Sequence, residues 1–134
     1  MLYGLCSKVY SISDLQKTNE SYFALINSIA FYIQNNYKNN ISLKELAKSL
    51  GYNYSYLSAF FNKHFEMNFS AYVNSYRVQL AGAYLRQTNK SITEISDICG
   101  FDTIRNFNRV FKNEFNVSPK EYRITFNNNT TESL

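Results

Sequence analysis

The stretch that decides the fold is Lys90-Ser-Ile-Thr-Glu-Ile-Ser-Asp-Ile-Cys-Gly-Phe101. A similar stretch, Ile41-Ser-Leu-Lys-Glu-Leu-Ala-Lys-Ser-Leu-Gly-Tyr52, lies about 50 residues earlier in the chain. When the two glycines are aligned, the serines, the glutamates and the closing aromatic residues also match, and further aromatic residues match after one inserted residue. A solenoid needs about three copies, so this repeat indicates one supersecondary unit that occurs twice.

Each copy begins with a helix that has a defined start and end. The pattern Ser-x-x-Glu at Ser42 and at Ser91 is typical of a capping box, in which the serine oxygen accepts a hydrogen bond from the third helical amide. An apolar stripe at helical period follows for about two and a half turns. Gly51 and Gly100 come next, where a helix that ends in a left-handed residue favours glycine.

A second helix follows each glycine after a short turn. We expect Asn53 to cap this helix in the first copy and Asp102 to cap it in the second. The apolar side of the second helix is predicted to carry Leu57, Phe60, Phe61 and His64 in the first copy, and Phe107, Val110 and Phe111 in the second. Helix, glycine turn and helix form a helix-turn-helix, so the sequence contains two of them.

The copies are joined by a third helical segment, predicted over residues 69–88. Its length of roughly 27 Å suits a spacer between two helices that enter DNA about one turn apart. The sequence therefore predicts an all-α fold of about seven helices, with two helix-turn-helix subdomains joined by a long bridging helix. The predicted divisions are an N-terminal extension or linker (1–19), the first unit (20–68), the bridging helix (69–88), the second unit (89–123) and a disordered tail (124–134).

Composition limits the class of protein. The chain has 134 residues, a formal charge of +4 and 45% hydrophobic residues, which suits one globular domain. Between Ile41 and Arg123 lie 11 of the 14 Lys and Arg but 7 of the 10 acidic residues, so the net charge belongs to this region. A basic surplus permits a polyanionic partner. Cys6 and Cys99 lie far apart, and neither a signal peptide nor a membrane span is predicted, which favours a reducing cytoplasm.

The sequence gives no support for an enzyme or for a cofactor. His64 is the only histidine, so one chain has no histidine cluster for a metal and no histidine-containing triad. Glu45 and Glu94 have an adequate structural role in the capping boxes. We therefore expect no catalysis, no cofactor and no metal site.

From Ile41 to Arg123 the chain resembles the DNA-binding domain of the AraC/XylS transcription regulators, over about 83 of its 134 residues. The most specific motifs are in the second unit: Ile95-Ser-Asp-Ile-Cys-Gly-Phe-Asp102, Phe107-Asn-Arg-Val-Phe-Lys112 and Val117-Ser-Pro-Lys-Glu-Tyr-Arg123. The stretch Phe111 to Arg123 is especially similar to the short stand-alone bacterial activators of that family. The bridging segment has Arg77 and Ala81 where the family usually has Arg and Ala.

The resemblance implies which residues contact DNA. On the second recognition helix, the positions that meet base edges are Ile104, Arg105, Asn106, Asn108 and Arg109. Arginine can bind guanine, and asparagine can bind adenine, through two hydrogen bonds in the major groove. Arg109 also has the alternative of turning to phosphate or to the bridging helix. Phosphate contacts are expected from Lys44, Lys63, Lys112 and Lys120 and from the capped helix starts at Ser42 and Ser91. Taken singly, each lysine has the alternative of a solvated surface charge.

Two features depart from the family pattern. The family usually has glycine after the second recognition helix; this chain has Asn116, the next best left-handed residue, and Glu66 at the equivalent place in the first unit. Glutamate disfavours that conformation, so we expect a loop of another shape there. The matching base-contact positions of the first recognition helix are Ser55, Ser58 and Ala59, which are short, so we expect this unit to discriminate bases weakly.

The resemblance implies sequence-specific binding of double-stranded promoter DNA to regulate transcription, with RNA polymerase as a further partner and no membrane. A monomer is expected for this fragment, with a dimer possible for a longer parent protein. An alternative of another class is an anti-activator that keeps the fold but binds another regulator, as the short side chains of the first recognition helix suggest. Activation or repression, the target site and any effector ligand are left open.

Overall fold

The computed structural model describes the backbone of residues 12–132 and the side chains of residues 21–129. In this part of the chain seven helices are joined by turns and loops, without a strand, which confirms the predicted all-α fold and the number of helices. The helices are α1 (Ile12–Asn36), α2 (Leu43–Leu50), α3 (Tyr54–His64), α4 (Phe69–Gln87), α5 (Ile92–Ile98), α6 (Ile104–Phe115) and α7 (Pro119–Glu132).

The chain divides into two compact parts, residues 1–34 and 35–134. In the first part α1 begins at Ile12, within the segment 1–19 that the sequence predicts as an extension or linker, and that division of the chain stays a prediction. Residues 12–19 lack an apolar stripe but include the good helix formers leucine, glutamine and lysine. Residues 1–11 lie outside the described part. The predicted division 20–68, which assigns the rest of α1 to the first helix-turn-helix, also stays a prediction.

Within residues 35–134, α2 and α3 form the first helix-turn-helix. The Ser42 hydroxyl accepts a hydrogen bond from the Glu45 amide at 3.2 Å, as the capping box predicts. Gly51 ends α2 in the left-handed conformation with φ of 75°. The Asn53 side chain caps α3 by accepting hydrogen bonds from the two amides at positions 55 and 56.

The second helix-turn-helix consists of α5 and α6 and repeats this construction. The Ser91 hydroxyl accepts a hydrogen bond from the Glu94 amide at 3.1 Å, and Gly100 has φ of 88°. The cap of α6 is Thr103, whose hydroxyl accepts from the Asn106 amide at 3.0 Å, so the prediction of Asp102 is wrong by one position. The residue inserted in the second copy moves the helix start by one.

Both recognition helices are followed by a residue with positive φ, Glu66 at 54° and Asn116 at 64°. The expectation of a different loop shape at Glu66 is therefore wrong. The neighbouring rings account for this: Phe65 lies 4.7 Å from Phe61 and 4.8 Å from Tyr72, between ring centroids. Because packing on both sides fixes the loop, glutamate adopts the conformation that glycine usually takes.

The bridging helix α4 has 19 residues, about 28 Å, and supports both helix-turn-helix units. The first helix-turn-helix packs on the start of α4, where the Phe61 ring lies 5.5 Å from Phe69 and 5.8 Å from Tyr72. The second unit packs on its later turns and shares with it one apolar core. The buried members of that core are Val78, Ala81, Leu85, Ile95, Cys99, Phe101, Phe107 and Phe111.

Helix α7 corrects the prediction of a disordered tail over 124–134, because residues 124–132 continue the helix that starts at Pro119. The start is well formed: proline occupies the first helical position, and the Ser118 hydroxyl accepts from the Glu121 amide at 3.1 Å. Arg123 ties α7 to α4 by donating to the Leu85 and Thr88 carbonyls, each at 3.3 Å. A helix anchored in this way propagates into a polar sequence without an apolar stripe.

Candidate nucleic-acid interface

Helix α6 has one buried face and one outward face. Phe107 and Phe111 have no exposed surface. Arg105, Asn108 and Arg109 are exposed, as the sequence predicts. Ile104 is 40% exposed beside them, and Asn106 is half-buried. The outward face of α6 therefore presents two guanidinium groups and an amide, which are the groups that hydrogen-bond base edges.

Two of the predicted base-contact residues bind each other. The Arg109 Nη2 donates a hydrogen bond to the Asn106 Oδ1 at 2.7 Å, across one turn of α6. The sequence predicts Asn106 and Arg109 as separate base contacts, although their spacing of three is the signal for such a pair. The bond occupies the one acceptor of the Asn106 amide and orients the Arg109 guanidinium. Arg109 also lines a shallow cavity that α4 closes with Ala71 and Asn74.

The outward side of the first unit is aromatic rather than charged. Ser55 and Ala59 are exposed and Ser58 is half-buried, which places the three predicted positions at or near the surface. The larger exposed side chains form a tyrosine patch with exposed fractions of 41% for Tyr52, 54% for Tyr54 and 55% for Tyr56. The rings of Tyr52 and Tyr56 stack at 5.8 Å. Tyr52 is not among the residues that the sequence predicts to contact DNA, although aromatic residues spaced by four are a signal.

One pocket brings together residues predicted to contact phosphate with residues of α3. Its volume is about 460 Å³, and it lies where α2, α3 and α4 begin. Helix starts offer unpaired amides to anions, and Lys44 adds a positive charge. The residues that line it include Ser42, Lys44, Tyr54, Ser58, Asn68 and Ser70.

The remaining predicted phosphate residues lie on the surface. Lys63, Lys112, Lys120 and Ser91 are all exposed. His64 was predicted on the inner side of α3 and is exposed instead, with its ring 4.5 Å from that of Phe60. Its position at the end of the helix explains this. Desolvation, and then the charge of Lys63, lower the pKa of His64, which favours a neutral imidazole.

A half-buried arginine lies at what we call the Arg77 junction: Arg77 on α4, Tyr37 and Asn39 before α2, and Gly100 and Phe101 after α5. The guanidinium donates to the carbonyl oxygens of residues 37 and 39, at 2.9 Å each. It lies 5.9 Å from the centroid of the Phe101 ring. Burial lowers the pKa of Arg77, and nearby Asp102 acts in the opposite direction. The sequence predicts no role for Arg77, because contacts of such long sequence separation leave no local pattern.

Other kinds of site find no support in the part of the chain that the structure describes. No helix of residues 12–132 is both long and apolar enough to cross a membrane. Among the described side chains, no three His, Cys, Asp or Glu residues cluster as metal ligands would. Burial raises the pKa of the Cys99 thiol to about 11, so this cysteine is an inert core residue rather than a nucleophile.

Comparison with known proteins identifies relatives. A family model described as a helix-turn-helix domain matches residues 46–124. The Msm operon regulatory protein of Streptococcus mutans is 30% identical over 120 residues, which cover 90% of this chain and 43% of the relative. The chain thus spans less than half the length of curated relatives that it matches.

Solved structures agree on the fold. A Chromobacterium violaceum transcriptional regulator, described as containing an AraC-type DNA-binding domain, superposes with a TM-score of 0.73 at 25% identity and covers 80% of this chain and 96% of its own. The DNA-binding domain of AdpA, solved with a target DNA, superposes with a TM-score of 0.69 at 19% identity and covers 76% of this chain and 91% of its own. At that identity the second likeness concerns the fold alone.

Proposed function

Because the chain belongs to the AraC-type helix-turn-helix family of transcription regulators, we propose that it binds specific sequences of double-stranded DNA by placing α3 and α6 in successive major grooves. The family and its named relatives are DNA-binding transcription regulators rather than enzymes. The observation that carries the proposal is α6, which exposes Arg105, Asn108 and Arg109 opposite fully buried phenylalanines.

The two recognition helices have different roles in this proposal. On α6, Arg105 binds guanine, Asn108 contacts an adenine, and Ile104 packs on a thymine methyl group. Arg109, held by Asn106, binds a second base or a phosphate. On α3, short side chains at positions 55, 58 and 59 give little direct base contact, so this unit depends on the shape and flexibility of the duplex.

Phosphate contacts position the protein on the duplex. Lys44, in the pocket where three helices begin, supplies one contact together with the capped start of α2 at Ser42. The exposed residues Lys63, Lys112, Lys120 and Ser91 supply the others. These contacts raise the affinity for every sequence and make it depend on salt.

The test is to select bound sites from random duplexes and then to measure the affinity of variants. Arg105→Ala should weaken binding by about 1 to 3 kcal/mol and relax base preference at one position. Lys90→Ala is the matched control, because it removes an exposed positive charge that has no assigned contact. If Arg105→Ala behaved like this control in affinity and in base preference, the assignment of α6 would be wrong.

The second candidate is the anti-activator, which the exposed tyrosine patch favours because aromatic residues are enriched at protein interfaces. It predicts that the wild type selects no duplex and co-purifies with another regulator. Under the main proposal the patch instead faces DNA or RNA polymerase. Under the main proposal, Tyr56→Ser reduces promoter binding or polymerase recruitment, and neither the wild type nor this variant co-purifies with another regulator.

We also propose that this chain binds as a monomer, since one chain carries two recognition helices, and that it acts in the cytoplasm, where promoter DNA is found. A longer parent protein could dimerise through another domain. Sedimentation of the protein with its selected duplex tests the stoichiometry: one chain per site supports the proposal, and two chains on a symmetric site contradict it.

A further inference from the structure

The Arg77 junction joins three elements that are distant in sequence. Arg77 lies near the middle of α4 and donates to the carbonyls of Tyr37 and Asn39, four to six residues before α2 begins. The Tyr37 ring also lies 5.4 Å from the ring of Tyr76 on α4. The segment that leads into the first helix-turn-helix is therefore fixed to the bridging helix.

The turn of the second helix-turn-helix meets the same segment. A Cβ atom added at Gly100 would lie 2.4 Å from the Tyr37 carbonyl oxygen and 3.0 Å from the Lys38 Cα atom. Only glycine allows this approach without movement of the backbone. The equivalent Gly51 in the first unit has no atom within 4 Å of such a Cβ, so the close approach is particular to the second unit.

The first helix-turn-helix is consequently attached to α4 at two points along that helix. One is the packing of Phe61 on Phe69 and Tyr72 at the start of α4. The other is the Arg77 junction, near the middle of the same helix. One attachment leaves a body free to pivot about it, whereas two attachments at different points along α4 fix its orientation.

We propose that Arg77 is a positioning residue that fixes the first helix-turn-helix relative to the second and so sets the spacing between half-sites that the protein accepts on DNA. The part of this inference that concerns DNA rests on the proposed function. One added base pair shifts a half-site by about a tenth of a helical turn along and around the duplex. A rigid protein loses one set of contacts on such a site, whereas a pivoting protein keeps both sets at a lower affinity.

A distance measurement tests the positioning without DNA. Spin labels are placed at Lys48→Cys and Asp97→Cys, equivalent exposed positions of α2 and α5, in a full-length Cys6→Ser background. We expect a narrow distance distribution, which Arg77→Met broadens. Arg123→Met is the matched control, because Arg123 also donates to two carbonyls, but those of Leu85 and Thr88 at the end of α4. It should leave the distribution narrow.

Binding to duplexes of altered spacing tests the consequence. For unlabelled wild type we expect about a tenfold preference for the selected spacing over the same site with one added base pair. Arg77→Met should bind the selected spacing about tenfold more weakly and lower that preference to about twofold or less. Arg77→Lys, which keeps one donor head, should give intermediate values, and Arg123→Met should keep the wild-type preference.

A pair of glycine substitutions approaches the junction from its other side. Gly51→Ala and Gly100→Ala both place alanine at positive φ, so both lose stability, but only the second displaces the Tyr37 carbonyl. We expect only Gly100→Ala to broaden the label distances. This pair also serves if Arg77→Met does not fold.

The outcomes separate the two proposals. Narrow distances and an unchanged spacing preference in folded Arg77→Met would overturn the inference while leaving DNA binding intact. If the wild type selected no duplex, the proposed function would fail, and the distance measurement alone would decide whether Arg77 fixes the two units. Equal broadening by Arg77→Met and Arg123→Met would also overturn the inference, since it would indicate general loosening.

Discussion

Glu66 has a backbone conformation that is costly for a residue with a side chain, with φ of 54°. Glu66→Gly removes this cost but gives the unfolded chain more freedom, so we expect a net stabilisation of about 0.5 to 1 kcal/mol. Unfolding in urea measures it. Asn116→Gly is the control, because asparagine tolerates positive φ better and should gain less. An equal gain in both variants would contradict this explanation.

Asn106 and Arg109 should act as a pair, because one hydrogen bond joins them. In a double-mutant cycle on binding to the selected duplex, Asn106→Ala and Arg109→Ala should show a coupling energy of about 1 kcal/mol. Asn108→Ala with Arg109→Ala serves as the comparison and should be additive within about 0.5 kcal/mol. Additivity in both cycles would contradict the pairing of Asn106 with Arg109 in the complex.

Among the elements, α5 depends on its cap because it has only seven residues. Ser91→Ala removes the acceptor of the Glu94 amide and should lower the free energy of unfolding by about 1 kcal/mol. Ser91→Asp keeps an acceptor at the cap and should stay within about 0.5 kcal/mol of the wild type. Urea unfolding of both variants measures the difference, and equal losses would exclude capping as the cause.

The elements also show what sequence could predict. The boundaries of α2 and α5 follow from capping boxes and glycines, which are local signals, and the structure agrees. The extent of α7 was mispredicted, because its last turns lack apolar periodicity. The outward residues of α6 followed from periodicity and family resemblance. The Asn106 to Arg109 bond and the Arg77 junction did not, since they depend on side-chain geometry and on contacts distant in sequence.

For the molecule as a whole, phosphate contacts predict the response to salt. The logarithm of the affinity should fall linearly with the logarithm of the salt concentration, and Lys44→Ala should reduce the slope by about 1 for every duplex sequence. Titrations at several salt concentrations measure this slope. Lys90→Ala is again the control and should leave it unchanged. A change in base preference in Lys44→Ala would contradict a phosphate contact.

Cys99 can report global unfolding, because burial raises its pKa from 9.0 to about 11. A raised pKa in the folded state means that the thiol contributes stability below pH 9, which is lost as the pH rises through 11. In a Cys6→Ser protein at pH 8, a disulfide reagent should modify Cys99 at a rate that follows unfolding. Modification that is slower than for a free peptide thiol but faster than global unfolding would show that the core opens locally.

Besides one hydrogen bond to the Asn74 side chain within α4, Arg77 donates to the main-chain oxygens of residues 37 and 39, which every amino acid possesses. The junction therefore does not depend on the side chains at positions 38 and 39, but it does depend on the number of residues between α1 and α2. We therefore expect homologues to differ in the amino acids of this connection but to keep its length. We also expect an insertion there to alter the half-site spacing that the protein accepts, although it changes none of the proposed base-contact residues.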